Sequence, residues 1–390
     1  MLRAVPPSAV ATRGTHGLSH EEEQALAAYR DLAHWWQNGC KGPRPEVSGK
    51  IAPRDEAFLE DLEHRAFRFF WEQGDSRTGL VLDRARADGL QIGGRNLHIA
   101  SIAATGFGHS AMSIAAERGW VTSQEARERV RNTLRFFWDH ATNVHGWFYH
   151  FLNSVTGERR WDSELSSIDT ALLPAGVLTA RQKFSEDVEI ARLAGQIYHR
   201  VDFPWMTNGS RTPLSMGWRP ESGFLRATWN MYAEETIFYL FGIGSPTRPL
   251  PVESWLAWKR TWTDYAGFHF LNYAPLFAHQ YSHAWVDYWD RFESMPPHIN
   301  FFSNSLAATL ANRAFCLRLS KRFPGYSANV WGVSASDSSH GYIAWGQVPV
   351  IDDIDGTVVP CAAGGSLMFT PPGLSVCAAR DQAAIWLRAD

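Results

Sequence analysis

The chain has 390 residues, 45% apolar and 20% charged, a balance that lets it bury a large core without metal or disulfide staples. Its formal net charge is -3, so it presents no basic field for nucleic acid or anionic lipid. No run approaches the roughly 18 apolar residues of a membrane span. The first twenty residues lack the apolar core of a secretory signal, so the chain is expected either to be cytoplasmic or to have lost a leader.

Residues 1–19, with Pro6 and Pro7, read as a flexible arm, followed by a single domain from 20 to 390. Leu26, Tyr29 and Leu32 recur at helical spacing, before Trp35 and Trp36, and the acids Glu21–Glu23 suit a solvated first turn. Phe58, Leu62, Ala66, Phe69 and Phe70 make one stripe and predict a helix over 56–72. Thr122 with Glu125 reads as a capping box for a helix carrying Val130, Leu134 and Phe137. Further helices are expected over 163–183, with Gly176 inside, and along Ile190, Leu193, Ile197 and Val201, ending before Pro204. Residues 229–241 and 304–322 give two more.

Period-2 alternation is scarce, which predicts an all-α fold. No repeat of fixed length argues for an open solenoid. The long segments 202–228 and 324–365, rich in Trp, His and Gly, have the length of functional loops. A closed toroid of helices with its loops gathered at one rim accommodates them.

The 18 Trp, 23 Phe and 11 Tyr mostly predict a large aromatic core. About one Trp in four is expected to line a cleft, where indole can stack on the C–H face of a sugar. Cys40, Cys316, Cys361 and Cys377 form no C-x-x-C pair, and Cys316 lies in an apolar helical run.

Several motifs fail. Gly242-Ile-Gly244 lacks the third glycine, which is Thr247, and follows a helix instead of a strand. Asp353-Ile-Asp355-Gly356 would need ligands at Ile351 and Ala362 to be a calcium loop. His279 and His283 have zinc-ligand spacing, but Gln280 replaces the protease glutamate and no third ligand is evident. They fit the orientation of a sugar hydroxyl or a carboxylate better, and neither a metal nor a cofactor is expected.

What remains is carboxylates amid aromatics, the pattern of glycoside hydrolysis. That reaction needs a carboxylic acid of raised pKa at the leaving oxygen, and a second carboxylate or a substrate-relayed water across the ring. Glu234 sits in Trp229-Asn-Met-Tyr232-Ala-Glu234-Glu235-Thr-Ile-Phe-Tyr239, an apolar helix start where burial would raise its pKa; one of the two adjacent acids is expected to be solvated. A second cluster runs from Trp161 and Asp162 to Glu164, Ser167 and Asp169. Here Asp169 could face a cleft while Glu164 caps the helix, or both could simply complement the helix dipole. A third, His279-Gln-Tyr-Ser-His283-Ala-Trp-Val-Asp287, puts Asp287 four residues after His283, within hydrogen-bond reach on a helix.

Read together, these segments resemble the glucoamylase-like domain of the bacterial β-1,2-glucanases and related cyclic-glucan-synthase transglycosylase domains. The resemblance spans roughly 55–372 and adds Gly146-Trp-Phe-Tyr-His150-Phe, Asn304-Ser305, Trp331-Gly-Val-Ser-Ala-Ser-Asp337 and Asp355-Gly-Thr-Val-Val-Pro360. It implies an (α/α)6 toroid acting on β-1,2-glucan. The Tyr-x-Glu-x-x-x-x-Tyr register selects Glu234 over Glu235 as general acid, with Asp169 and Asp287 as candidates for the second catalytic group. It also implies substrate contacts at Glu164, His150, Trp229, Tyr232, Tyr239, His279, His283, Trp331 and Asp337. The expected partner is a β-glucan oligosaccharide or polysaccharide, handled by a monomer in the periplasm or outside the cell. From about Gly373 the chain departs from the family pattern, which implies a missing last hairpin. An exo-acting or transglycosylating enzyme and a non-catalytic glucan-binding remnant are the alternatives on the same scaffold.

Overall fold

The computed structural model describes residues 52–383, apart from 87, 211–212, 274, 290, 297, 339–340, 346–353, 371–375 and 377, together with 27, 31 and 35. The N-terminal arm, Glu21–Glu23, Cys40, Cys377 and most of the segment beyond Gly373 lie outside the described residues. The chain divides into two compact units, residues 56–260 and residues 1–55 with 261–390.

The first unit opens with α1 (Pro53–Glu72), β1 (Ile99–Ser101), α2 (Ile102–Arg118) and α3 (Ser123–Asp139). Short strands follow: β2 (Asn143–Val144), β3 (Trp147–Phe148), β4 (Phe151–Asn153) and β5 (Leu165–Ser166). Then come α4 (Ser167–Lys183), α5 (Val188–His199), β6 (Gly217–Arg219), β7 (Gly223–Phe224) and α6 (Glu235–Ile243).

These helices differ in how they bury themselves. α3 hides one stripe, Ala126, Val130, Leu134 and Phe137, and α5 hides Ile190, Leu193, Ala194 and Ile197; each keeps charged residues on its other side. That is the pattern of a helix with one wet face. α2 and α4 are buried almost all round, as is α6 from Glu235 to Tyr239, the pattern of helices enclosed by others. The packing follows: α4 lies against α2 and α6, while α5 lies against α3. Inner and outer helices therefore alternate along the sequence.

α2 and α4 approach through glycine. A Cβ on Gly176 would stand 1.7 Å from the Gly106 carbonyl oxygen, and one on Gly106 would stand 2.4 Å from the Leu172 carbonyl oxygen. Ser101 caps α2, Ser166 caps α4 and Asp187 caps α5, and the Thr122–Glu125 capping box opens α3 as expected.

The strands are two to four residues long and pin the loops at the N-terminal ends of the inner helices. β1 pairs with β4 and leads into α2; β5 pairs with β6 and leads into α4. The helix expected from 163 therefore begins at Ser167, because Leu165 and Ser166 face Trp218 and Gly217 across a ladder. The helix expected from 229 begins only at Glu235. Before it the chain runs as bends tied to other segments: Trp229 N–H donates to the Leu214 carbonyl, and Tyr232 N–H to that of Lys259.

The second unit holds a hairpin of β8 (Trp262–Tyr265) and β9 (Phe268–Leu271), α7 (Phe301–Leu319), a hairpin of β10 (Ala335–Ser338) and β11 (Gly341–Ala344), and α8 (Pro360–Gly364). α7 is buried along most of its length, and its Ala311, Phe315 and Cys316 pack with Phe270, Trp331 and Trp345. Among the described residues no helix is long and apolar enough to cross a membrane.

Candidate active site

Two inner-helix starts carry the candidate carboxyl groups. Asp169 lies in the first turn of α4, where Ser166 and Asp169 hold each other. The Asp169 N–H donates to Ser166 Oγ at 3.2 Å, and Ser166 Oγ donates to Asp169 Oδ2 at 2.5 Å. Trp229 ties this turn to α6: its indole Nε1 donates to Ser167 Oγ at 2.7 Å, and its carbonyl accepts from Tyr239 Oη at 3.1 Å. One residue thus links the start of α4 to the body of α6, with Glu234 immediately ahead of α6.

Glu234 is 8% exposed and Glu235 is fully buried, so neither is the solvated acid expected of the pair. The apolar sequence explains it: Trp229, Tyr232, Ile237, Phe238 and Tyr239 are all buried around them. Burial pushes the Glu234 carboxyl up to about 7; its own backbone N–H opposes this, and the charge of Asp169 adds to it. Burial holds the Glu235 carboxyl well above the usual range too, with the Glu234 charge in the same direction. The backbone N–H groups of Glu235 and Ala233 and the charge of Arg260 oppose this without overcoming it. Glu234 thus sits near half-protonation at neutral pH, where a general acid is most useful.

A second group stands beside Asp169. His150 Nδ1 lies 3.0 Å from Glu164 Oε1, and its Nε2 lies 3.5 Å from Asp169 Oδ2. Arg219, on β6, brings Nη2 to 3.5 Å from Glu164 Oε2. Burial works against a charged imidazole at His150, but Asp169 and Glu164 outweigh it and raise its pKa. Burial likewise works against charge on Glu164, yet His150, the backbone and Arg219 bring its carboxyl down to about 2. Glu164 is therefore no helix cap. It stands before β5, and Ser166 takes the capping role. Arg219 escaped the sequence reading, since only the pairing of β5 with β6, Leu165 with Trp218 and Ser166 with Gly217, brings it here.

The remaining expected residues fall elsewhere. Tyr239, fully buried with its hydroxyl spent on Trp229, braces the scaffold and has no face for a sugar. Trp229 and Tyr232 are buried at the helix start, and Trp229 commits its N–H to Ser167 and so braces the two helix starts. In the second unit, Trp331 is fully enclosed in the core around α7, which corrects its assignment to substrate stacking. His279 and His283 lie on two 3-10 turns, Leu276–His279 and Tyr281–Ala284, and not on one helix. His283 Nε2 meets Ser305 Oγ at 2.9 Å among the rings of Tyr288, Phe302 and Phe369, and His279 Nδ1 faces Asn304 Nδ2 at 3.5 Å. Burial lowers both imidazoles to about 3, so they are neutral core groups. Asp287 does not pair with His283 because the turn ends at Ala284; it is exposed and accepts the Trp289 N–H at 3.0 Å. The link to His283 expected from a shared helix is therefore absent, and Asp287 carries this local contact instead. Asp337 is exposed on β10.

Comparisons with known proteins find a family model that matches part of the chain and solved structures of similar fold. Residues 226–379 match the model of the family described as "Putative glucoamylase". An exo β-1,2-glucooligosaccharide sophorohydrolase (non-reducing end) of Parabacteroides distasonis is 26% identical over 358 residues, covering 81% of this chain and 47% of that protein. The chain thus spans about half the length of that curated relative. Among solved structures, an endo-β-1,2-glucanase from Chitinophaga pinensis, in complex with sophorotriose and glucose, superposes with a TM-score of 0.76 at 25% identity, over 84% of this chain and 82% of the other. A "putative glucoamylase" from Bacteroides fragilis NCTC 9343 gives 0.76 at 27% identity, over 87% and 84%. The fold class is therefore the all-helical (α/α)6 class of glucoamylase-like proteins.

Proposed function

We propose, for a chain whose residues 226–379 match the glucoamylase-like family model, hydrolysis of β-1,2-linked glucan with Glu234 as general acid. The observation that carries this reading is the nearly buried Glu234 carboxyl, raised to about 7, at the start of an inner helix beside Asp169. Glu234 hands its proton to the bridging oxygen as the glycosidic bond breaks, and water adds at the anomeric carbon. Asp169, held by Ser166 and His150, supplies the second carboxylate that takes the water's proton or steadies positive charge on the ring. Cleavage is endo, and a polymeric substrate implies work in the periplasm or outside the cell. The relatives that act on β-1,2-glucans support the linkage.

The test is Glu234→Gln on linear β-1,2-glucan with a reducing-end assay. Loss of turnover with an unchanged circular dichroism spectrum is expected, and near-wild-type turnover overturns the assignment. Early product chromatography separates the modes: endo cleavage gives a ladder of oligosaccharides, exo cleavage a single disaccharide.

A further inference from the structure

We infer that Trp161 is a stacking platform for a glucosyl ring of the bound chain, away from the scissile bond, and that it makes the enzyme favour longer oligosaccharides. The inference rests on the glucan-hydrolase reading for the identity of the sugar. Its structural basis is a turn that breaks the usual residue rules.

Trp161 and Asp162 both have positive φ, +57° and +49°, and the turn is closed by the Ser163 N–H donating to the Arg160 carbonyl at 3.1 Å. Two successive left-handed residues make the turn that Asn-Gly fills without strain, and a bulky aromatic is an outlier there. Strain of this kind persists where the surroundings impose it and clusters at ligand sites. Here the surroundings fix the indole. Its Nε1 donates to the Arg95 carbonyl at 3.1 Å, and its ring meets Phe151 edge-on at 4.9 Å between centroids. Despite these anchors the side chain stays 37% exposed. With its N–H already spent, its exposed surface is ring, which suits the C–H face of a pyranose.

The platform is continuous with the candidate active site. Phe151 stacks on His150 with centroids 3.8 Å apart and planes 15° apart, and His150 contacts Asp169 and Glu164. An aromatic row thus runs from the carboxylate cluster to an exposed indole. Arg95 and Asp162, both exposed, flank its end. A simple core role for Trp161 explains neither the exposure nor the choice of residue at this turn.

The experiment compares wild type, W161F, W161A and the double variant W161N/D162G in calorimetric titrations and kcat/KM, using β-1,2-gluco-oligosaccharides of increasing length. W161A and W161N/D162G are expected to lose about tenfold in affinity and kcat/KM for the long oligosaccharides and to stay within twofold on the shortest one cleaved. W161F is expected to keep most of the wild-type affinity. The double variant places Asn-Gly in the turn, so its melting temperature is expected to hold or rise while long-chain affinity falls; that separates platform loss from damage to the fold. An equal loss at every length, or no loss at any, overturns the inference. If wild type takes no β-1,2-glucan, the same titrations with β-1,3- and β-1,4-gluco-oligosaccharides apply. Affinity that depends on Trp161 for one of these keeps the platform and sinks the linkage. Independence from Trp161 for all of them sinks the platform.

Discussion

His150 and Glu164 are joined twice: the His150 N–H donates to the Glu164 carbonyl at 2.9 Å, and the ring Nδ1 lies 3.0 Å from the carboxylate. The backbone link, with the neighbouring bridge of Tyr149 and Leu165, fixes the register that brings the two side chains together. Glu164→Gln should therefore cost about 1.5–3 kcal/mol, the scale of a partly buried hydrogen bond to a charged group. The pH dependence has a definite sign. Glu164 is lowered to about 2, so its contribution is present above its ordinary value near 4.5 and fades as pH falls toward 2. His150 is raised, so its contribution is present below its ordinary value near 6.5 and is lost as pH climbs through the raised value. Chemical denaturation across pH should show the variant's deficit largest between about 4.5 and 6.5; a deficit flat from pH 2 to 9 removes the ion pair from the account.

Glu234 makes the opposite prediction. An acid raised to about 7 in the free enzyme is protonated and able to donate below that pH, so kcat/KM should fall as pH rises through about 7. Glu234→Gln should lower kcat by about 10²–10⁴-fold, the usual contribution of general acid catalysis. Because folding raises this pKa above 4.5, the wild-type protein loses stability as pH rises from 4.5 to about 7, and the glutamine variant does not. The variant's stability relative to wild type should therefore improve over that interval. A kcat/KM profile without an alkaline fall near 7 would remove Glu234 from the proton-donor role.

Much of this was legible in the chain. The stripes of α3 and α5 could be read because one face of each is wet, which is what makes apolar spacing periodic. α4 and α6 gave their presence but not their starts. An inner helix is apolar all round, so periodicity does not mark where the bends before Glu234 end and the helix from Glu235 begins. Carboxylates amid aromatics pointed to Glu234 and Asp169. What escaped was partnership over long separations: Glu164 with Arg219, and Trp229 with Ser167. A single sequence offers no local signal for two-residue strands such as β5, whose pairing creates the first of these. Trp331 and Tyr239 were misread because an aromatic in a recognisable motif looks the same whether it lines a site or braces it.

His109 predicts acid lability. Its ring is buried in α2, Nε2 meets no partner among the described residues, and burial holds it down to about 4. The unfolded chain takes up a proton near 6.5, so stability is lost as pH falls from about 6.5 to 4. His279 and His283, brought to about 3 by burial, extend the same loss to lower pH. His109→Leu removes one of these protons, so its melting temperature should fall less steeply than that of wild type between pH 6.5 and 4. Parallel curves would mean that His109 is not neutral in the folded protein.

Gly176 sets the distance between the two inner helices α2 and α4. A methyl group there would lie 1.7 Å from the Gly106 carbonyl oxygen, and that atom is backbone, which cannot swing aside as a side chain can. Relief requires α4 to move away from α2, and α4 carries Ser166, Ser167 and Asp169 at its start. Gly176→Ala gains helix propensity worth up to about 1 kcal/mol. The overpacking it forces typically costs about 1–3 kcal/mol and more where backbone is struck, so the net effect should be strongly destabilising. Because the displaced helix also bears Asp169, glucan cleavage by the fraction that remains folded should fall as well. Gly195→Ala, in the outer helix α5, meets nothing closer than the Arg181 guanidinium at 3.9 Å and serves as the control. It should leave denaturation midpoint and activity near wild type or slightly improved. Equal tolerance of the two substitutions would mean that α2 and α4 are not in glycine-to-backbone contact.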